Sequence, residues 1–193
     1  MPLKIVHQNH YEIIGRGMVL LSNPAIHTQS PELYTGTLTE EVALISKGHA
    51  IIGKEKKLND QTEVESAQSE FAIGVREFIV DHGIRLILEI RGKKEPGVGI
   101  EVETFPVEAN EIVEIVKTAF ALSFPVAMTQ PGATERSQYA NDKNVQTLVV
   151  VLGPDERGFQ RESIIDITAE TVGLINRKLG FLESEEGGRN VLD

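Results

Sequence analysis

The sequence predicts one α/β domain whose mostly parallel or mixed central sheet is covered by helices on both faces. Three observations carry this expectation. Short Val/Ile/Leu-rich runs alternate with longer segments of helical periodicity. Several of the runs are apolar without alternation, as strands buried on both faces are. Capping patterns and glycines fall between the segments. The 193 residues match one large domain, a size that buries roughly 70% of the surface its unfolded chain exposes. No repeat or composition shift marks a second domain, so the expected layout is a single domain over residues 1–182 and a mobile acidic tail over 183–193.

Taken in order, strands are expected at Leu3–His7, Met18–Ser22, Ala50–Gly53, Ile84–Ile90, Gly99–Thr104, Val126–Thr129 and Val145–Leu152. Helical spacing of apolar residues places helices at about Thr39–Lys47, Ser66–His82, Glu108–Ser123 and Ser163–Leu179. In the second helix Phe71, Val75, Phe78 and Ile79 form one stripe that faces a core. Thr37-Leu38-Thr39-Glu40 and Thr62-Glu63-Val64-Glu65 have capping-box spacing, and Gly48, Gly83 and Gly180 stand where C-cap glycines do. The polar stretches Lys54–Glu65 and Pro131–Asn144 read as loops that line a site.

Composition narrows the function. With 29 acidic against 19 basic residues and a formal charge of −10, the average field repels phosphate backbones and anionic lipid, which disfavours nucleic acid and membrane surfaces as partners. The basic run Lys54, Lys56 and Lys57 has mixed-charge neighbours and reads as a solvated loop. The absence of cysteine removes disulfides, thiolate metal sites and cysteine nucleophiles. The first residues read as a strand rather than a signal peptide, and no apolar run approaches the roughly 20 residues that span a bilayer. A cytoplasmic location is expected. A homo-oligomer is compatible with the sequence.

Five histidines are candidates: His7, His10, His27, His49 and His82. His7 and His10 have H-x-x-H spacing, but residues three apart on a strand face opposite sides, so joint ligation of a metal requires a turn between them. His82 precedes a C-cap glycine and suits a helix end; His49 begins a strand. His27 follows the strand Met18–Ser22, where α/β proteins collect ligand-binding residues. Gly15-Arg16-Gly17 has neither P-loop nor dinucleotide-fingerprint spacing, and no G-x-S-x-G elbow occurs.

The sharpest signal is Leu86-Ile87-Leu88-Glu89-Ile90-Arg91-Gly92: an apolar strand delivers an acid and an arginine to the edge where open α/β sheets bind ligands. The two-residue strand period puts Glu89 and Arg91 on one face, able to pair with each other or with a ligand. Glu101 and Glu103 alternate with aliphatics in the next strand and read as its solvent face.

Taken together, several segments resemble the N-formylglutamate amidohydrolase family, zinc-dependent α/β hydrolases that cleave an amide next to a carboxylate. "MVLLSNPAIHTQ" at 18–29 resembles the family's apolar strand ending in Pro-His. "ELYTGTLTEEVA" at 32–43 resembles its Tyr-Thr-Gly turn and helix, and "LILEIRGKKEPGVGIEVET" resembles its Asp-x-His-Gly strand followed by an acid-rich strand. The resemblance runs from about residue 18 to residue 175. It implies His27 and Glu89 as zinc ligands or as acid and base, Arg91 as the anchor of a substrate carboxylate, and Asn59 and Asp60 as a substrate-binding loop. The sequence departs from the family where metal is bound: Pro-His reads Pro24-Ala25, Asp-x-His-Gly reads Glu89-Ile90-Arg91-Gly92, and Val145–Leu152 lacks the family's glutamate. Arginine stays protonated and repels a divalent cation, yet its fork suits a carboxylate or phosphate. Two outcomes are therefore expected: an amide hydrolase with zinc, or a non-catalytic relative without a cofactor that binds a small anionic molecule or a partner protein.

Overall fold

In the computed structural model eight strands form a single mixed sheet, β1 (Leu3–Val6), β2 (His10–Ile14), β3 (Val19–Asn23), β4 (His49–Gly53), β5 (Leu86–Gly92), β6 (Ile100–Phe105), β7 (Val126–Thr129) and β8 (Gln146–Leu152), in the order β1-β2-β4-β3-β5-β8-β6-β7. The structure describes residues 2–24, 34–54, 61–93, 99–105, 110–129 and 135–181. The four central strands, β4, β3, β5 and β8, run parallel. Antiparallel pairs attach β2 on one side and β6 on the other.

Helices cover both faces, as the unalternating strands require: β3 and β4 are buried along their whole length. On one face α1 (Thr35–Ser46), α3 (Glu111–Ala121) and α6 (Arg161–Lys178) enclose Leu21, Leu38, Leu88, Phe120, Leu148 and Val172. On the other, α2 (Gln61–Asp81) and α4 (Glu135–Asp142) enclose Leu20, Ile51, Phe71, Phe78, Ile87 and Ala140. The predicted stripe Phe71, Val75, Phe78 and Ile79 is the side of α2 that fills this second core. The short helix α5 (Pro154–Arg157) follows β8, and its buried Arg157 donates to the carbonyls of Gly153 at 3.1 Å and Lys93 at 2.9 Å, fastening the ends of β8 and β5 together. Among the described residues no helix is long and apolar enough to cross a membrane.

Several local expectations are corrected. Strand β2 is an additional strand without an apolar run in its sequence, because His10 and Glu12 interrupt the pattern; both point into a buried polar cluster. The stretch read as the loop Pro131–Asn144 contains α4, whose polar sequence is held by burial of Ala140 in the second core. Helix α1 begins at Thr35, so Thr37 lies inside it and donates to the Tyr34 carbonyl at 3.0 Å instead of capping. Its left-handed end residue is Lys47 rather than Gly48, whereas Gly83 and Gly180 do adopt positive φ after their helices.

His49 opens β4 as a buried residue. Its ring centroid lies 5.8 Å from that of Phe78 and 4.8 Å from that of His82, and its Nδ1 accepts from the Gly15 amide at 3.3 Å. Burial, then the nearby His82 charge, push its pKa down to about 4. Between that value and the ordinary histidine range the unfolded chain holds more protons, so stability is complete above about pH 6.5 and is lost as pH falls towards about 4. The loss amounts to about 3 kcal/mol at roughly 1.4 kcal/mol per pKa unit. Urea denaturation at pH 7 and pH 4.5 is expected to show a smaller acid loss in His49→Asn than in the parent. Equal losses in both would contradict this assignment.

Candidate functional site

Strand register assembles the site. Glu12, Ile51, Ser22, Glu89, Val149 and Glu103 are successive partners across β2, β4, β3, β5, β8 and β6 and so form one row on the α2 face. Two residues further along β5, Arg91 stands opposite Val151, which in turn faces Glu101. The Arg91 row lies towards the carboxyl ends of the parallel strands, the edge where open α/β sheets place ligands, and the Glu89 row lies one step inside it.

Glu89 is 4% exposed, and the Arg91 guanidinium pairs with its carboxylate through both Nε and Nη2. The sequence expectation that these two share a face is met, and they engage each other. Glu101 and Glu103 are not a solvent face. Both are half-buried; Glu101 accepts from Lys93 Nζ at 2.6 Å, and Glu103 is 3.5 Å from the Thr129 hydroxyl. Burial pushes the Glu103 carboxyl up, Arg91 and the Thr129 hydroxyl oppose that, and Glu101 and Glu89 add to it. An acid held partly towards its neutral form beside a guanidinium can exchange a proton with a substrate whose carboxylate the guanidinium holds. Ser22, buried in the same row, has a hydroxyl with no hydrogen-bond partner among the described residues.

The frame around this edge is closely tied. Asn23, at the end of β3, donates to the Ile90 carbonyl at 2.8 Å and to Thr35 Oγ1 at 2.9 Å, joining β3 to β5 and to the start of α1.

Of the predicted site residues, Glu89 and Arg91 are thus brought together, while His27, Asn59 and Asp60 lie outside the described residues. The zinc implied by the resemblance meets an unsuitable setting among the described residues here. The Glu89 carboxylate is engaged by a permanent cation, the Arg91 guanidinium.

A second polar cluster lies at the same edge. A turn after β1 brings His7 and His10 together, with ring centroids 4.4 Å apart and planes 14° from parallel. His7 Nε2 lies 3.2 Å from Glu12 Oε2, and His10 Nε2 lies 3.4 Å from Glu12 Oε1. The H-x-x-H spacing therefore does converge, because the turn supplies the reversal that a continuous strand lacks. Burial lowers the His10 pKa; Glu12, through its hydrogen bond and its charge, and Glu70 oppose this, while His7 adds to it. A groove of about 880 Å³ between α3 and α6 lies on the opposite face and is lined by residues such as Ile115, Ala119, Leu122, Ile167 and Leu174, so it is separate from both clusters.

No family model matches the sequence, and no curated protein matches it. Solved structures do share its fold. A bacteriophage poly-gamma-glutamate hydrolase superposes with TM-score 0.61 at 11% identity over 93% of each chain. A candidate metallopeptidase from Shewanella denitrificans OS217 superposes with TM-score 0.59 at 7% identity, covering 94% of this chain and 85% of that one. The N-acetylmuramyl-L-alanine amidase of Mycobacterium smegmatis does so with TM-score 0.52 at 12% identity, covering 84% of this chain and 98% of that one. At these identities the likeness shows an α/β fold shared with peptidases and amidases.

Proposed function

We propose that this protein hydrolyses an amide bond in a small carboxylate-bearing substrate of the N-acylglutamate or glutamyl-amide kind. The carrying observation is the placement of Glu103, an acid pushed towards its neutral form by burial, on the same sheet face and at the same edge as the Glu89–Arg91 pair. In this proposal Arg91 anchors the substrate carboxylate through its fork, and Glu89 holds the guanidinium in place. Glu103 takes a proton from the attacking water and returns it to the departing amine. Support comes from the fold shared with a poly-gamma-glutamate hydrolase and an amidase, and from the segments that resemble N-formylglutamate amidohydrolases.

One observation favours a second reading: arginine stands where the resemblance places a metal-binding histidine, which suits a non-catalytic relative that holds a small anion. A single panel separates the two. N-formyl-L-glutamate, N-acetyl-L-glutamate and γ-glutamyl amides are each incubated with the protein, with amine release measured alongside thermal stabilisation. Turnover with at least one of them supports hydrolysis. Stabilisation without turnover supports the binding reading, and neither response withdraws both.

A further inference from the structure

We infer that His7, His10 and Glu12 form a site for a divalent cation of the zinc class, distinct from the Glu89–Arg91 pair at the same edge. The two positions lie three strand spacings apart across β2, β4, β3 and β5, about 14 Å at the usual spacing. The inference does not depend on the proposed hydrolysis.

The donor set is two imidazoles and one carboxylate, whose ligand atoms all lie within 4.8 Å of one another. Zinc takes this combination at about 2.0–2.2 Å per ligand, which sets neighbouring tetrahedral ligands about 3.3 Å apart. His7 Nε2 lies 3.2 Å from Glu12 Oε2, and His10 Nε2 shares a hydrogen bond of 3.4 Å with Glu12 Oε1; both separations are near that edge, with the carboxylate spanning the two rings, and an ion would replace the shared proton. His7 Nε2 is buried yet makes no hydrogen bond, although it faces the carboxylate. The parallel rings must tilt towards each other to aim both lone pairs at one ion. His7, whose side chain is 38% exposed, has the freedom to do so, while His10, at 3%, is fixed by its surroundings.

Those surroundings have the form of a ligand support. His10 Nδ1 lies 3.4 Å from Glu70 Oε1, and Asn9 donates to the Glu70 carboxylate through both its side chain and its backbone amide. At that distance His10 Nδ1 makes no hydrogen bond among the described residues; a small approach that let it donate to Glu70 would fix the ring's tautomer and leave Nε2 as the ligand. Glycine at position 74 of α2 keeps the site open. A Cβ there would stand 2.7 Å from Ile51 Cδ1 and 3.1 Å from His10 Nε2. The bound ion would tie the β1–β2 turn, through His10 and Glu70, to α2.

The test uses the full chain without a histidine tag, stripped with chelator and titrated with Zn²⁺ or Co²⁺ alone. Expected are about one equivalent bound, the visible absorption of tetrahedral Co²⁺, and a rise in melting temperature with Zn²⁺. His7→Ala, at a half-exposed position in the turn after β1 where folding should tolerate it, is expected to lose at least tenfold in affinity. Glu70→Gln is expected to lose about 10- to 100-fold, the usual effect of a support residue. His27→Ala is expected to bind as the parent does. Absence of binding in the parent, unchanged affinity in His7→Ala, or loss of binding in His27→Ala but not in His7→Ala would overturn the site. Because metal content and absorption are the readouts, a failure here is distinguishable from a failure to hydrolyse amides.

Discussion

Glu103→Gln is expected to lower turnover by about 10²- to 10⁴-fold, the range that a positioned acid–base group supplies, while raising the melting temperature at neutral pH. The first half follows from the proposed role: glutamine keeps the size of the side chain and its contact with Thr129 but cannot carry the proton. Because Arg91 is left in place, KM should change little and the loss should fall on kcat. The second half follows from linkage. A carboxyl pushed up in the fold holds more protons there than in the unfolded chain, so stability is fully present at acid pH and declines as pH rises through the raised value. Glutamine mimics the neutral form and removes that decline. Melting curves of parent and variant should converge at acid pH and separate above it. Turnover within a few-fold of the parent would remove Glu103 from the chemistry.

Arg91→Ala is expected to cost about 3 kcal/mol of stability, the lower end of the range for breaking a buried ion pair. Glu89 is 4% exposed, so removing its guanidinium partner leaves a carboxylate in the interior without that compensation. The Arg91 side chain is 33% exposed, which moderates the cost. Replacing both partners, Glu89→Leu with Arg91→Met, removes the buried charge as well and should recover most of the loss in denaturant unfolding. A double variant as unstable as the sum of the two single ones would argue that the pair is not coupled. Arg91 also holds the Glu103 pKa down, so its loss should raise that value further and move the acid limb of any pH–rate profile towards neutral.

The fold was legible in the sequence where burial dictates composition. Strands β3, β4, β5 and β8 are apolar on both faces because helices cover both sides, and that pattern survives in the residues themselves. Strand β2 and helix α4 were not legible. The polar residues of β2 serve a cluster completed by β1 and α2, and α4 is stabilised by contact rather than by its own amphipathic pattern. The site divides in the same way. The period of two along one strand was sufficient to place Glu89 beside Arg91. Glu103 looked like an exposed residue of an alternating strand, because its alternation is real and only the burial of that face was hidden.

By itself, then, the sequence determined the α/β class, the two-sided burial of the central strands and the placement of Glu89 and Arg91 on one strand face, since each depends on neighbours close along the chain. Only the tertiary structure decided that Glu103 joins the row of Glu89, within the field of Arg91, and that His7, His10 and Glu12 converge with Glu70 nearby. Those meetings depend on strand order and on a turn, which bring together residues from separate segments, and local periodicity carries no record of which segments will lie side by side.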